Sequence, residues 1–383
     1  MKNETEYDLV IIGGGLAGLS LSILMGRKGY SVALIEKEKY PFHKVCGEYI
    51  SMESRPFLES LGLDLDELNL PVIDELMLSS PNGRSFHTKL DLGGFGISRY
   101  KLDNLLSKLA IENGVELMTE TKAQTISFAK NFLIECISRD GGSVHLRSKL
   151  CCAAYGKRSN LDVKWNRKFL TVTDKRPQNF VAVKYHVRHN WQENLIGLHN
   201  FENGYCGISK IENDQYCLCY LTTASNLKRS ENKIGIMEKD VLCVNPHLRK
   251  IFSEMEIENE FPVTISQISF KSKTQVENGV LMLGDAAGMI TPLCGNGMSM
   301  ALHSSLIAFR SLDAFLQNQV CRMEMERRYQ EEWSSQFSRR LATGRTLQDF
   351  FGSQRLSNLF VSIFKTFPFL AKPVVKMTHG KPF

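Results

Sequence analysis

The chain has 383 residues, 43% of them hydrophobic and 23% charged, which is typical of a globular protein of about two domains and excludes a disordered or fibrous chain. Its net charge of +6 is not gathered into a Lys/Arg-rich block, so no nucleic-acid partner is predicted. The ten cysteines show neither a C-x-x-C pair nor a Cys/His spacing, so the sequence predicts no metal site.

The first predicted elements are a strand, a glycine-rich turn and a helix. The apolar run Leu9 to Ile12 predicts the strand, and Gly13, Gly15 and Gly18 follow it in the spacing G-x-G-x-x-G. In such a turn the first glycine permits the tight bend, the second lets the backbone approach a pyrophosphate, and the third lets helix and strand pack closely. The helix N-terminus then favours the anion. This spacing predicts a dinucleotide site.

An acidic residue closes the second predicted strand. Val32 to Ile35 forms that strand, and Glu36 follows it, 18 residues after Gly18. A carboxylate at this position accepts hydrogen bonds from a ribose hydroxyl and repels a 2′-phosphate. The alternative is an ordinary turn between strand and helix. Because strand, helix and acid occur together, we favour the dinucleotide site.

The middle of the chain alternates between β-rich and helical segments. Residues 74–98 predict a hairpin around Pro81-Asn82-Gly83, residues 123–150 predict a β-meander, and residues 178–224 predict an antiparallel sheet. Helical spacing begins at Tyr100. We therefore predict an α/β fold in which a Rossmann-type domain is interleaved with an antiparallel β-sheet substrate domain and followed by C-terminal helices. The predicted boundaries are 1–73, 99–160 and 271–340 for the nucleotide domain, 74–98 and 161–270 for the sheet domain, and 341–383 for the helical tail.

A second glycine-rich motif follows the apolar strand at 279–284. It contains Gly284 and Asp285, and then Pro292, Gly295 and Gly297 in the spacing P-x-x-G-x-G. An acid at the carboxyl end of a strand can accept hydrogen bonds from sugar-like hydroxyls, and the glycines let a planar ring approach the backbone.

With these motifs the chain resembles the flavoproteins built like para-hydroxybenzoate hydroxylase, which include aromatic monooxygenases, geranylgeranyl reductases and flavin-dependent halogenases. The resemblance covers residues 1–160 and 270–310 and is weaker over 161–265. It implies FAD as cofactor, with the first motif on the ADP half, Asp285 on the ribityl chain and the P-x-x-G-x-G backbone beside the flavin ring. Arg99 matches the arginine that opens the family's R-x-x-x-D-x-x-L helix near the cofactor. The cofactor-binding residues implied are Gly13, Gly15, Leu16, Ala17, Gly18, Glu36, Lys37, Lys44, Cys46, Gly47, Arg99, Ala123, Gly284, Asp285, Pro292, Gly295, Asn296, Gly297 and Met298.

The chain departs from this family at Tyr155-Gly156. The family's monooxygenases carry an aspartate-glycine pair there, which helps to hold both FAD and NAD(P)H. No second G-x-G-x-x-G follows a strand. The resemblance thus leaves two transient electron donors: NAD(P)H, with Lys157 and Arg158 available for its phosphate, or a reduced electron-carrier protein.

Candidate catalytic residues lie in the loop 43–48 and in the β-rich middle. The loop resembles the cysteine-glycine loop that covers the flavin in geranylgeranyl reductases, which makes Cys46 a candidate to act as an acid or to tune the ring. The alternative is a buried packing residue. Glu48 and His43 are candidates for proton transfer, against the alternative of solvated loop residues. Tyr205 is a candidate to face the substrate, against the alternative of a core aromatic.

The C-terminal tail combines apolar and basic residues. Its apolar residues recur at helical spacing, and Arg355, Lys365 and Lys376 lie among them. We predict a helix docked on the body, with a surface for membranes or for a lipophilic substrate as the alternative. No export signal and no apolar run of about 18 residues or more are present, so we expect a cytoplasmic protein, with a membrane-peripheral location as the alternative.

Together these features predict a FAD-dependent oxidoreductase in which the cofactor carries the redox chemistry. Two reactions compete: hydroxylation of a lipophilic aromatic or polyketide-like small molecule by a monooxygenase, and saturation of isoprenoid double bonds by a geranylgeranyl reductase-like enzyme. A third hypothesis is a non-catalytic flavin-binding partner in electron transfer. The intact set of glycines beside a separate sheet domain favours an enzyme.

Overall fold

The computed structural model describes residues 5–171, 179–258, 261–351, 353–378 and 380–383. Its strands are, in chain order, β1 (Thr5–Ile12), β2 (Val32–Ile35), β3 (Tyr49–Ser51), β4 (Val72–Ser79), β5 (Ser85–Gly96), β6 (Glu116–Met118), β7 (Thr121–Phe128), β8 (Phe132–Ser138), β9 (Ser143–Ala153), β10 (Phe180–Arg188), β11 (Leu195–Phe201), β12 (Gly204–Lys210), β13 (Tyr216–Thr223), β14 (Glu256–Ile257), β15 (Val263–Ile268), β16 (Val276–Glu277) and β17 (Val280–Met282). Its α-helices are α1 (Leu16–Arg27), α2 (Arg55–Ser60), α3 (Arg99–Glu112), α4 (Asn160–Lys164), α5 (Lys168–Thr171), α6 (Ala224–Arg229), α7 (Ile234–Asp240), α8 (Pro246–Glu254), α9 (Gly297–Leu316), α10 (Arg322–Phe351), α11 (Gln354–Thr366) and α12 (Ala371–Thr378).

The first sheet has the strand order β16-β17-β9-β1-β2-β6, and its central strands are parallel. Leu9 pairs with Val32 on one side and with Leu150 on the other. These strands are near-continuous apolar runs because both of their faces are buried, as is usual for parallel strands. Helix α1 follows β1 and packs against α3 and α9. The antiparallel meander β7-β8-β9 extends the same sheet.

The second sheet has the order β14-β10-β13-β12-β11-β4-β5-β3, with β15 also paired to β10. Its pairs are antiparallel except for β11 and β4, which run parallel where the β4-β5 hairpin joins the sheet. The α/β fold with two sheets and C-terminal helices is confirmed. The short strand β3 pairs with β5 in the second sheet, although it lies inside the stretch 1–73 assigned to the nucleotide domain. The domain boundaries themselves remain a prediction.

The second sheet has two different faces. Val183 and Leu218 lie on the face that packs on α7 and α8. On the opposite face, which we call the inner face, Ala182 pairs with Leu221 and Lys184 pairs with Cys219. His186 and Cys217 form the next pair, so the inner face has an apolar half and a polar half.

The tail helix α11 docks on β5 through one side only. Val361 is fully buried, Phe364 lies 5.3 Å from the ring of Phe86, and Arg84 donates a hydrogen bond of 2.9 Å to Ser362. Within the described ranges, no helix is long and apolar enough to span a bilayer.

Candidate functional site

The glycine-rich turn between β1 and α1 has the geometry that its spacing predicts. Gly13 has φ +106°, and a Cβ atom there would lie 2.5 Å from the carbonyl oxygen of Ala154. A Cβ atom on Gly18 would overlap with the carbonyl oxygen of Gly13. These two glycines are therefore required by the fold of the turn itself.

Gly15 has a different environment. A Cβ atom built on Gly15 would meet only the ends of two side chains, Arg99 at 3.6 Å and Lys44 at 3.9 Å. Helix α1 begins directly after it with Leu16 and Ala17, and the N–H groups of a first helical turn lack intrahelical partners. Gly15 thus faces a position bordered by backbone donors and two cations, which suits a pyrophosphate.

Glu36 is buried at the end of β2, beside this turn. It accepts hydrogen bonds from the backbone N–H of Gly14 at 2.9 Å and of Glu38 at 3.1 Å. Tyr40, which the sequence did not indicate, donates its hydroxyl to the Gly14 carbonyl. Lys37 lies next to Glu36 but is exposed, and its nearest acidic partner is Glu38 at 3.6 Å.

Ala123 is buried in β7 near the same acid. The neighbouring Thr121 donates its N–H to the Glu36 carbonyl at 3.0 Å, so the start of β7 lies against the end of β2. Ala123 therefore lies two residues along β7 from a backbone contact with Glu36, and its role in cofactor binding remains a prediction.

A buried aspartate holds the two cations near Gly15. Asp103 accepts a bidentate pair from Arg99 at 2.8 and 2.7 Å and a third bond from Lys44 at 3.0 Å. Burial by itself would raise the pKa of Asp103. The positive charges of Arg99 and Lys44 outweigh burial, so the pKa lies below its ordinary value. Asp103 is the acid of the R-x-x-x-D motif, so the sequence contained its signal, although only Arg99 was predicted.

The Gly284-Asp285 turn is fixed by a lysine that sequence reasoning missed. Lys273 donates to the Asp285 carbonyl at 2.8 Å and to the Lys157 carbonyl at 3.3 Å. Burial lowers the pKa of Lys273 to about 8. The N–H of Gly284 donates to Ser304 at 3.0 Å, which ties the turn to α9. No glycine motif surrounds Lys273, so nothing in the sequence marked it.

The P-x-x-G-x-G stretch forms a short turn over Pro292–Cys294 and leads into α9. Gly295 has φ +62°, and a Cβ atom on it would lie 3.2 Å from the ring of Tyr49 in β3. Asn296 and Met298 are buried, whereas Gly297 opens the helix with no heavy atom nearer than 3.8 Å to a built Cβ. Gly295 is therefore required by its positive φ and by the nearby Tyr49 ring, whereas the backbone at Gly297 can be approached closely by a flat group.

The loop 43–48 lies on the polar half of the inner face. The Cys46 carbonyl accepts a hydrogen bond from the Cys217 thiol at 3.2 Å, and Ser209 donates to the Gly47 carbonyl at 3.4 Å. Lys157 donates to the Val45 carbonyl at 3.3 Å, which joins the loop to the stretch after β9. Cβ atoms built on Gly47 or Gly156 would meet no atom within 4 Å, so both border open space.

Glu48 is fully buried at the end of this loop, and both of its carboxylate oxygens have partners. Lys184 and the backbone N–H of Arg99 donate to one oxygen, and His186 donates to the other at 2.6 Å. Burial raises the pKa of Glu48, but Lys184 and His186 outweigh it and lower the value to about 2. Glu48 thus connects the loop to β10 and to the start of α3.

His43 lies beside this cluster. Its ring stacks on Tyr100 at 4.6 Å and meets His186 edge-on at 5.2 Å. Burial and the positive charge of Lys184 lower the pKa of His43. His43 and Glu48 are therefore brought to one place, and the proton-transfer roles predicted for them remain predictions.

Tyr155, where the family carries an aspartate, is part of a buried network. Its hydroxyl donates to Asp162 at 2.6 Å, and Arg167 pairs with the same aspartate at 2.9 Å. Arg167 also donates to the Ala286 carbonyl at 3.0 Å. The tyrosine is thus linked, through two side chains, to the turn that carries Asp285.

Tyr205 lies in an apolar cluster between the second sheet and the tail. The cluster joins the apolar half of the inner face to the P-x-x-G-x-G turn and to α11. Its buried members are Leu78, Phe86, Phe180, Ala182, Tyr205, Leu221, Ile268, Met289, Leu293, Val361 and Phe364. Val45 of the loop 43–48 packs against it. An apolar interior therefore borders both loops that the resemblance places around the flavin ring.

A sequence profile of the FAD binding domain family matches residues 6–336. The chain belongs to this family. Its relatives include the conditioned medium factor receptor 1 of Dictyostelium discoideum, 24% identical, covering 91% of this chain and 71% of that protein. They also include the digeranylgeranylglycerophospholipid reductase 1 of Methanopyrus kandleri, 25% identical and covering 87% of each chain. The structure of the flavin-dependent brominase Bmp2 has the same fold, with a TM-score of 0.78, 20% identity and coverage of 98% and 93%.

These comparisons confirm the family that the motifs indicated, and the site fits its cofactor. Gly15, Arg99 and Lys44 provide donors and positive charge for a pyrophosphate, and Glu36 provides the acceptor beside it. The open space at Gly47 and Gly156 would be filled by any larger residue. The chain is a FAD-dependent flavoprotein of an oxidoreductase family.

Proposed function

We propose that this flavoprotein is a monooxygenase that hydroxylates a lipophilic aromatic or polyketide-like small molecule. The observation that carries the proposal is the apolar cluster, which reaches from Leu293 beside the predicted flavin position to Phe180 and Leu221 on the inner face. A substrate bound against these side chains would exchange water for apolar contacts, which favours a lipophilic molecule.

The chain's own residues would bind and orient the cofactor. Arg99, Lys44 and the start of α1 hold the pyrophosphate, Glu36 holds the ribose, and Asp285 holds the ribityl chain. FAD supplies the redox chemistry when bound. The apolar cluster excludes water from the reacting position. In the overall reaction, molecular oxygen gives one atom to the substrate as a hydroxyl group and the other to water, while NAD(P)H is oxidised to NAD(P)⁺.

A reductase is the second candidate, and the position of Cys46 favours it. The loop carrying this residue is fixed to the second sheet, and the strand that follows it places Tyr49 against Gly295. Reductases of isoprenoid lipids are among the relatives, at 25% identity. In this reaction two electrons and two protons saturate a carbon–carbon double bond, and Cys46 is the proposed proton donor. A non-catalytic electron-transfer partner remains the third hypothesis.

Anaerobic mixing of the FAD-loaded protein with NADPH or NADH tests the proposal. We expect the visible flavin absorbance to bleach, faster when an alkylated phenol is present. After isotopically labelled oxygen is admitted, the phenol should gain one labelled atom. If neither nicotinamide bleaches the absorbance but reduced ferredoxin or dithionite does, and if a polyprenyl substrate gains two hydrogens without labelled oxygen, the reductase replaces the monooxygenase.

Asp285→Ala is expected to weaken FAD binding by about 10- to 100-fold, because it removes a hydrogen bond between the cofactor and a charged group. Asp285→Asn should retain part of the affinity, because it keeps an acceptor oxygen. The ratio of flavin to protein after gel filtration measures the effect. A fully loaded Asp285→Ala protein would contradict the role assigned to this carboxylate.

A further inference from the structure

The tail helix α11 is apolar on its exposed side as well as on its docked side. Val361 and Phe364 are buried against the body, whereas Leu356, Leu359 and Ile363 are exposed, Leu359 by 58%. At helical spacing these three residues form one stripe. The stripe continues beyond the helix in further exposed apolar side chains: Phe367, Phe369, Leu370 and Met377. We call these seven residues the tail patch.

The segment that carries the tail patch is strongly basic. Residues 353–383 contain five Lys and Arg and no Asp or Glu, whereas the whole chain has a net charge of only +6. Arg355, Lys365 and Lys376 are exposed in the same segment. The sequence segment that carries the exposed apolar patch therefore has a net charge of +5, against +6 for the whole chain.

We propose that the tail patch docks on an anionic membrane surface. Exposed apolar side chains flanked by basic ones suit the boundary between headgroups and acyl chains, where the apolar residues insert and the cations meet lipid phosphates. Each basic residue near an anionic leaflet adds to the attraction. The absence of any Asp or Glu from 353–383 favours an anionic partner. The tail patch is spread over two helices and their connection, which favours a broad lipid surface over a narrow peptide.

Docking in this manner would place the membrane one helix away from the apolar cluster. The buried side of α11 contributes Val361 and Phe364 to that cluster, and the exposed side carries the tail patch. A lipophilic substrate would then pass from the bilayer to the inner face over a short distance. This consequence rests on the proposed function, whereas the docking itself rests only on the surface of the tail.

Co-sedimentation of the FAD-loaded full chain with vesicles tests the docking. We expect binding to phosphatidylcholine vesicles that contain phosphatidylglycerol, weaker binding to pure phosphatidylcholine, and release by salt. The variant Leu359→Glu/Ile363→Glu should bind at least about tenfold more weakly. The matched control is Ile111→Glu/Met323→Glu, which alters two apolar side chains exposed by 57% and 78% on other helices and should bind like the parent protein.

Any of the following outcomes would overturn the proposed membrane docking. Absence of binding to either vesicle excludes a membrane surface, and equal loss in both double variants shows that general apolar exposure, not the tail patch, causes binding. Binding to an acidic carrier protein without binding to vesicles assigns the patch to a protein partner. The visible flavin spectrum of every variant reports folding. Lys365→Ala, which removes one exposed cation, gives a second variant that should bind more weakly and with a smaller salt dependence. Because none of these measurements depends on turnover, failure of the monooxygenase proposal leaves them unaffected.

Discussion

Replacing Glu48 by glutamine is expected to lower the free energy of unfolding by about 3–5 kcal/mol at pH 7, the effect of leaving a buried charge without its partner. Lys184 is almost fully buried and its ammonium group is paired with Glu48. Glutamine keeps the shape of the side chain but removes the negative charge. Urea unfolding of the FAD-free protein measures the loss without a contribution from the cofactor.

Two further variants test whether the loss of stability comes from breaking the buried pair of Glu48 and Lys184 or from removing a negative charge in general. Glu202→Gln removes the same charge from an exposed pair with Arg229 and should cost at most about 1 kcal/mol. Glu48→Gln/Lys184→Met removes both buried charges and should recover part of the stability, since an apolar replacement of a buried pair is often neutral. A double variant as unstable as Glu48→Gln alone would show that the pair does not act as a unit.

The contribution of Glu48 to the free energy of unfolding should decrease only as the pH becomes acidic. Its folded-state pKa is about 2, below the ordinary value of 4.5, so its contribution is complete above about pH 4.5 and is lost as the pH falls toward 2. The difference in unfolding free energy between the parent protein and Glu48→Gln should therefore be constant from pH 7 to 5 and narrow below that. A difference that widened in acid would contradict the paired state of this carboxylate.

The same variants test whether Glu48 also transfers protons. Its oxygens already accept from Lys184, from His186 and from the backbone N–H of Arg99, and its side chain is fully buried. This geometry favours a residue that positions the Cys46 loop. If the stabilised double variant retains turnover with a changed affinity for substrate, Glu48 is a positioning residue. If turnover is lost together with a limb of its pH profile, the proton-transfer prediction stands.

The nucleotide half of the site was predictable because its signals are local in sequence. The turn at Gly13, the position of Gly15 and the acid at Glu36 all follow from one strand-turn-helix unit with fixed spacing. Asp103 belonged to a motif that the sequence displayed, and its role became clear only when Arg99 and Lys44 were seen to share it.

The other half of the site was not predictable because its contacts join distant segments. Glu48 meets partners 136 and 138 residues away, and no spacing rule connects them. Alternation along β13 puts Cys217 and Cys219 on one face of the sheet, but it does not indicate which loop covers that face. In the tail, the apolar residues extend over more than one side of α11, so periodicity predicted the helix without indicating which side docks.

The glycine turn allows the final prediction, in which two glycines of the same G-x-G-x-x-G motif respond differently to an added methyl group. Gly18→Ala should lower the unfolding free energy by about 1–3 kcal/mol or more and abolish FAD binding, because its Cβ meets the immovable Gly13 carbonyl. Gly15→Ala should change stability by only about 1 kcal/mol, because its nearest protein atom is 3.6 Å away.

For Gly15→Ala we expect FAD affinity to fall at least about tenfold despite the intact fold, because the methyl group stands where the pyrophosphate approaches the backbone. Quenching of flavin fluorescence on titration into FAD-free protein gives the affinity, and thermal unfolding of the same samples gives the stability. Gly235→Ala, at an exposed helical glycine of α7 with no atom within 4 Å, is the matched control and should leave affinity unchanged. Unaltered affinity in Gly15→Ala would mean that the cofactor's phosphates do not lie at this turn, whereas lost affinity with retained stability would place them there.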